Sequence, residues 1–139
     1  MLPILEEMIT TGAWWDYVDG LATNHLGHLL RTHPREVRRT VLVWARSADL
    51  WKRRSAILCQ LHFKGDTDLD LLYECIERAM DSHEFFLRKA IGWALRQHAK
   101  TDADEVRRYV MRHRHRLSGL SKREALKGLL RGGRVKAVP

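Results

Sequence analysis

A short sequence element recurs at a nearly constant interval, and this repeat restricts the possible folds more than any other feature. The element reads RSAI from Arg54, RKAI from Arg88 and REAL from Arg123, at offsets of 34 and 35 residues. One further step of 35 residues back from Arg54 reaches Asp19, in DGLA, which keeps an alanine at its fourth position, Ala22. An interval of about 35 residues that holds two helices is typical of an α-solenoid, in which each helix pair packs against its neighbours.

Turn signals and apolar spacing divide the chain into helices, with no strand-like alternation. Because the residue before a proline avoids the α region, one helix is expected to end near Thr32 and the next to begin near Pro34. Side chains that accept hydrogen bonds from free amide groups predict further helix starts, at or near Asp49, Asp68, Asp81, Asp102 and Ser121. The predicted helices span 3–10, 13–31, 35–47, 49–64, 68–80, 84–98, 102–115 and 121–130.

These elements predict an all-α fold, a HEAT-like α-solenoid of antiparallel helix pairs with about three to four repeats. Residues 1–130 are expected to form the repeat domain. The last residues, 131–139 (RGGRVKAVP), lack apolar periodicity and are expected to be a flexible basic tail.

Charge is distributed unevenly along the chain. Residues 1–30 contain no Lys or Arg and four acidic residues, whereas the whole chain carries a net charge of +8. Residues 31–139 therefore have a net charge of +12. A basic excess of this size favours a polyanionic partner, nucleic acid first, although Lys and Arg on helix surfaces also serve solubility.

Several classes of protein are disfavoured by the sequence. No apolar run approaches the length of a membrane span, and no secretory signal is recognisable. Cys59 and Cys75 fall inside helices without metal-ligand spacing, which favours buried, reduced thiols and a cytoplasmic location. No set of ligands at metal-binding spacing and no glycine-rich phosphate loop occurs, so neither a metal nor a cofactor is expected.

Trp93 lies on the polar side of its predicted helix. The apolar side of 84–98 holds residues such as Leu87 and Ile91, while Trp93 falls among Lys89, Arg96 and Lys100. An aromatic ring among cations is the arrangement that binds bases and phosphates. Alternatively, a neighbouring helix of the solenoid covers this tryptophan.

Three charged or aromatic residues are similarly misplaced on other helices. Trp15 and Asp19 are four residues apart and share the margin of one apolar stripe, and Arg54 falls among leucines on another helix. A charge at such a place needs a partner or a ligand, and an ion pair between Asp19 and Arg54 is one solution. If equivalent repeat positions face the same way, Asp19, Arg54, Arg88 and Arg123 form a stripe on one inner face.

Four segments resemble, in order and spacing, the DNA alkylation repair enzymes of the AlkD-like family, which are HEAT-like-repeat alkylpurine DNA glycosylases. They are WWDYVD at 14–19, LWKRRSAILCQL at 50–61, FFLRKAIGWALRQHAKT at 85–101 and LSGLSKREALK at 117–127. The resemblance extends from about residue 13 to 130. It implies a glycosylase that releases purines alkylated at N3 or N7 from double-stranded DNA. No lysine stands beside Asp19 as a Schiff-base nucleophile, so a monofunctional hydrolase without lyase activity is expected.

The resemblance also implies roles for individual residues. Asp19 would be the catalytic carboxylate, and Trp15 and Trp93 would be aromatic walls against the damaged nucleotide. Arg54 would lie beside the catalytic carboxylate. The basic residues of the inner face are expected to hold DNA phosphates without reading sequence, namely Lys89, Arg96, Lys100, Arg88 and Arg123.

The chain departs from the family pattern at its start, where about a dozen residues precede the tryptophan pair in place of roughly two helical repeats. It therefore resembles the C-terminal part of such an enzyme. A solenoid without its first repeats exposes an apolar end, so either pairing with a second copy or marginal stability is expected. A non-catalytic nucleic-acid-binding module and a protein-interaction solenoid remain alternatives. Asp16 and His25 are further possible contributors to the site.

Overall fold

The computed structural model describes residues 1–12 and 15–139, and this part of the chain is helical without strands. Helix α1 is followed by a long helix, α2, whose central turn is π-helical, and by six further α-helices, with a short 3-10 helix at Lys64–Asp66. The bounds are α1 Leu2–Gly12, α2 Trp15–Gly20 with Leu21–Leu26 (π) and Gly27–Thr32, α3 Pro34–Ala45, α4 Leu50–Leu58, α5 Leu69–Ala79, α6 Phe85–Ala99, α7 Ala103–Arg112 and α8 Gly119–Arg131. The predicted all-α fold is confirmed.

Aspartate caps begin three of these helices as the sequence predicts. Asp49 accepts hydrogen bonds from the backbone N–H groups of Trp51 and Lys52, both at 2.9 Å. Asp68 and Asp102 cap α5 and α7 in the same way. Each cap satisfies amide groups that have no partner within the helix, which fixes where the helix starts.

Helix α8 begins earlier than predicted. Its cap is Ser118, whose hydroxyl accepts a hydrogen bond of 3.0 Å from the backbone N–H of Ser121. Ser121 lies inside the first turn, and its own hydroxyl donates a hydrogen bond of 2.8 Å to the Arg88 carbonyl of α6. Asp81, also predicted near a helix start, instead pairs with Arg116 at 3.1 Å.

The helices form two layers. Helices α2, α4, α6 and α8 pack successively side by side in the inner layer, and α3 packs against α5 in the outer layer. In the outer layer the Tyr73 ring of α5 also stacks on the Tyr109 ring of α7, with ring centres 3.8 Å apart. Apolar side chains from both layers form one continuous core. This arrangement is the α-solenoid of antiparallel helix pairs that the repeat predicts.

The repeat interval reappears in the contacts between neighbouring repeats. Four side-chain pairs join residues that are 35 positions apart in the sequence. These pairs are Asp19–Arg54, Arg31–Asp66, Asp81–Arg116 and Lys89–Glu124. Equivalent positions of successive repeats therefore lie next to each other, so a side chain on one repeat meets its counterpart on the next.

Two glycines allow close approach between inner helices. A Cβ atom added at Gly27 in α2 would lie 2.7 Å from the carbonyl oxygen of Cys59, which follows α4. A Cβ atom at Gly92 in α6 would lie 2.5 Å from the Cβ atom of Glu124 in α8. Both distances are shorter than a van der Waals contact, so the helix spacing of the inner layer depends on these glycines.

The C-terminal residues lie against the last repeat, whereas the sequence predicts a flexible tail. Val135 and Val138 pack against the core. The backbone N–H groups of Arg134 and Val135 both donate to the carbonyl oxygen of Leu129, at 2.9 and 3.3 Å. The two valines bury apolar surface against the core, and the two hydrogen bonds to the Leu129 carbonyl end α8 in a tight turn.

Candidate active site

A cavity of about 630 Å³ opens on the inner layer, between α2, α4, α6 and α8. This space is referred to below as the inner cavity. It brings together six residues that the sequence singles out, and four others. Its lining residues are Trp15, Asp19, Arg54, Phe85, Phe86, Lys89, Trp93, Arg96, Glu124 and Lys127.

Asp19 and Arg54 form a buried, two-pronged ion pair at one side of this cavity. Arg54 Nε donates to Asp19 Oδ1 at 2.7 Å, and Nη2 donates to Oδ2 at 2.9 Å. The residues are 7% and 3% exposed. Parallel hydrogen bonds of this kind fix both groups in orientation as well as in position. The ion pair considered from the sequence is therefore present, and it borders the cavity.

A third contact positions the Arg54 guanidinium. Its Nη1 donates to the carbonyl oxygen of Phe86, at the start of α6. Its central carbon also lies 5.7 Å from the centre of the Phe86 ring. Arg54 on α4 thus bridges α2 and α6, which explains why an arginine is accommodated among leucines. Any shift of α6 relative to α2 would act on the Asp19 carboxylate through this side chain.

A second ion pair lies in the inner cavity. Lys89 Nζ is 2.7 Å from Glu124 Oε1, and the two side chains are 41% and 18% exposed. The hydrogen bond from Lys89 holds the pKa of the Glu124 carboxyl below its ordinary value, against the opposing effect of partial burial. The positive charges of Lys127 and Arg96 act in the same direction as Lys89.

These two ion pairs correct the predicted inner stripe. Asp19, Arg54, Lys89 and Glu124 are spaced by 35 residues and all line the cavity. Arg88 and Arg123, which the sequence places in the stripe, precede the last two members by one residue and do not line it. One position along a helix turns a side chain by about 100°, which is enough to move it off the inner face.

Arg88 and Arg123 lie outside the cavity. Arg88 Nε donates to the Ser82 carbonyl at 3.0 Å, and Nη2 lies 2.9 Å from His83 Nδ1, in the loop before α6. Arg123 is exposed, and its guanidinium folds back towards Gly119. Lys100, the third basic residue expected on this face, lines two smaller cavities of about 270 Å³ each.

Aromatic side chains form the walls of the inner cavity. Trp15 is 43% exposed, whereas Trp93 is partly buried against the core. The neighbouring helices therefore cover only part of Trp93. Phe85 and Phe86 also line the cavity, and Phe85 is 56% exposed.

Other predicted contributors lie elsewhere. His25 lines a separate apolar cavity near α1, and Asp16 is exposed on α2. Trp14, the first tryptophan of the segment WWDYVD, lies outside the described residues. Within the described part of the chain, no cluster of His, Cys, Asp or Glu has the geometry of a metal site. No helix there is long and apolar enough to cross a membrane.

Comparison with known proteins is consistent with this arrangement. A family model described as DNA alkylation repair enzyme matches residues 1–129. A solved structure described as a predicted DNA alkylation repair enzyme from Enterococcus faecalis is similar, with a TM-score of 0.75 and 35% sequence identity. The match covers 90% of this chain and 60% of that chain. The sequence matches no curated protein at a significant level. The family match spans nearly the whole length, and the chain belongs to the DNA alkylation repair enzyme family.

Proposed function

We propose that this chain carries the active site of a monofunctional DNA glycosylase. The enzyme would hydrolyse the bond between deoxyribose and a purine that carries a positive charge from alkylation at N3 or N7, in double-stranded DNA. The observation that carries this proposal is the Asp19 carboxylate, fixed by Arg54 at the edge of an aromatic and basic cavity.

The chemistry requires a fixed negative charge more than a strong acid. A cationic purine is already a good leaving group, so bond cleavage mainly needs stabilisation of the oxocarbenium-like sugar. Asp19 supplies that charge and also orients the attacking water. Each Asp19 oxygen accepts one hydrogen bond from Arg54 and keeps a further lone pair for water or sugar.

The remaining cavity residues divide into two groups. Trp15 and Trp93 offer ring faces, which favour a cationic base or sugar over a neutral one by about 0.5–2 kcal/mol per contact. Lys89, Arg96 and Lys127 offer positive charge for the phosphates on either side of the damaged nucleotide. The cavity opens on the surface of the inner layer, which suits recognition through the DNA backbone.

A non-catalytic DNA-binding module of the same fold is the second candidate. It is favoured by the ion pair itself, because Arg54 offsets part of the Asp19 charge that catalysis requires. In this case the cations and aromatic walls still bind DNA, but no base is released. The protein-interaction solenoid differs from both, since its binding would not weaken steeply between about 50 and 200 mM salt.

The decisive measurement is the release of methylated purines from methylated duplex DNA. The Asp19→Asn variant removes the charge at nearly constant side-chain volume, and circular dichroism checks that it folds, because Arg54 loses its buried partner. Asp16→Asn on the same helix is the matched control, since Asp16 is exposed and outside the cavity. A glycosylase would show release by the parent and by Asp16→Asn, but not by Asp19→Asn. Salt-sensitive DNA binding without release by the parent would instead support the binding module.

A further inference from the structure

An arginine-rich stretch at the end of α7 and in the loop after it has no part in the inner cavity. Residues 107–116 read RRYVMRHRHR, and four of the five arginines in this stretch line a groove between α7 and the C-terminal residues. The fifth, Arg116, pairs with Asp81 instead. The groove has a volume of about 640 Å³ and is called the C-terminal groove below. Its basic lining residues are Arg107, Arg108, Arg112, Arg114, Arg134 and Lys136.

Acidic side chains balance only part of this charge. Arg107 lies 3.7 Å from Asp104, and Arg108 lies 3.4 Å from Glu105. The other four basic residues of the groove form no ion pair with any described residue. The groove therefore has a positive potential that favours an anionic ligand with several charges.

The groove is connected to the inner cavity through shared residues. Arg96 lines the inner cavity and also a smaller cavity of about 270 Å³ beside α8. Lys100 and Arg134 line that smaller cavity, and Arg134 also lines the C-terminal groove. Basic residues thus follow one another without interruption from the inner cavity, past the end of α8, into the groove.

We propose that the C-terminal groove is a second phosphate-binding segment, which holds the DNA backbone on one side of the damaged nucleotide. This inference rests on the proposed function for the position of the damaged nucleotide. The groove lining contains no aromatic ring, so it offers no surface for stacking a base. Continuity with the inner cavity favours one extended polyanion over a separate acidic peptide.

The inference predicts an asymmetric DNA footprint. The probe is a short DNA hairpin of about 8 base pairs, or roughly 27 Å, with an uncleavable tetrahydrofuran abasic-site analogue at its centre. Two longer probes extend the duplex on the 5′ side or on the 3′ side of the analogue. Affinities are measured by fluorescence anisotropy over a range of salt concentrations. Only one of the two extensions should raise the affinity of the parent protein.

Variants then assign that gain to the groove. Arg112 and Lys136 are exposed, so Arg112→Gln with Lys136→Gln removes two charges without disturbing the core. The double variant should lose the gain from the favoured extension, and its salt slope should fall by about 2, since each phosphate contact contributes about 0.9. The matched control is Arg35→Gln with Arg39→Gln, at exposed positions of α3 outside every cavity described above. It should keep the gain.

Three results would overturn the inference. The first is equal gain from both extensions, and the second is equal loss in the control variant, because each indicates a diffuse effect of charge. The third is an undiminished gain in the groove variant. If a six-aspartate peptide ending in phenylalanine also binds the parent and not the variant, the groove is a peptide site instead. The proposed function fails separately, if the parent releases no methylated base. The anisotropy result can still be interpreted in that case.

Discussion

Asp19 and Arg54 are 35 residues apart in the sequence and are joined by two hydrogen bonds, at 2.7 and 2.9 Å, between nearly buried side chains. The pair therefore connects neighbouring repeats and also borders the cavity in which we place catalysis. A buried ion pair adds little net stability, because the loss of hydration offsets the attraction, but removing one partner leaves a buried charge uncompensated.

Replacing Arg54 should therefore destabilise the fold strongly. Arg54→Leu leaves the Asp19 carboxylate buried without its donors, and we expect the free energy of unfolding to fall by about 3–5 kcal/mol. Lys89→Leu breaks the more exposed pair with Glu124 and should cost at most about 1 kcal/mol. Urea unfolding followed by circular dichroism measures both values. Equal losses in the two variants would contradict the importance assigned to burial.

Alanine substitutions at Gly92 and Gly128, in the last two inner helices, should have opposite effects on stability. Gly92→Ala places a Cβ atom 2.5 Å from Glu124 Cβ and should push α6 and α8 apart, at a cost of about 1–3 kcal/mol. Gly128 in α8 has no atom within 4 Å of an added Cβ, so Gly128→Ala should stabilise the protein by about 0.4–1 kcal/mol. Thermal unfolding compares them, and destabilisation by both variants would argue against close packing at Gly92.

The sequence predicts most of the fold because its signals are local. The caps at Asp49 and Asp102 need only a side chain and nearby amide groups, so they are readable from three or four residues. The π-helical turn at 21–26 has no such signal, since a change of hydrogen-bond register leaves the residue pattern intact. The true start of α8 is missed because two serines, Ser118 and Ser121, both suit a cap.

Part of the candidate site can also be predicted from the sequence, because some of its residues are unusual for the helix face on which they lie. Helical projection identifies Trp93 and Asp19 because each is at odds with the face around it. It misses Glu124, which looks like an ordinary surface acid until the repeat is placed in register with Lys89. The recurring sequence element aligns Arg54 with Arg88, whereas in the folded chain Lys89 occupies the position equivalent to Arg54. The packing between repeats sets this register, and the identity of the recurring residues does not.

The outer layer should make stability sensitive to alkaline pH. Burial, together with a hydrogen bond to Glu105, raises the pKa of Tyr73, and burial with Glu77 raises the pKa of Tyr109. A raised pKa in the folded state contributes stability that is complete below the ordinary value of about 10. That contribution is lost as pH rises above 10, because the unfolded chain ionises first.

Tyr109→Phe tests this dependence. It removes one ionisable group and a long hydrogen bond of 3.3 Å to Glu77, so the loss at neutral pH should be only about 0.5–1 kcal/mol. Above pH 10 the variant should lose stability less steeply than the parent, as measured by urea unfolding across pH. Tyr17→Phe, at an exposed site, is the control. Parallel curves for parent and Tyr109→Phe would contradict the prediction.

Lys89 should not form a covalent intermediate. A lysine attacks an abasic sugar only when its amine nitrogen is free to reach the sugar carbon, and Lys89 Nζ is held 2.7 Å from the Glu124 carboxylate. Incubation with methylated DNA and sodium borohydride should therefore trap no protein–DNA adduct. An adduct that disappears in Lys89→Gln but persists in Lys127→Gln would indicate a lyase step and refute the monofunctional assignment.

The two tryptophans that line the inner cavity should favour a cationic base over a neutral one. Trp93→Leu keeps apolar volume but removes the ring face, so the preference for DNA containing N7-methylguanine over the same duplex containing guanine should fall by about 2- to 30-fold, the equivalent of 0.5–2 kcal/mol. Trp15→Leu should have a similar effect, since Trp15 also lines the cavity. Trp51→Leu is the control, because Trp51 packs against Phe86 from outside the cavity, with ring centres 5.2 Å apart. Equal weakening for both duplexes would mean that the rings contribute contact area alone.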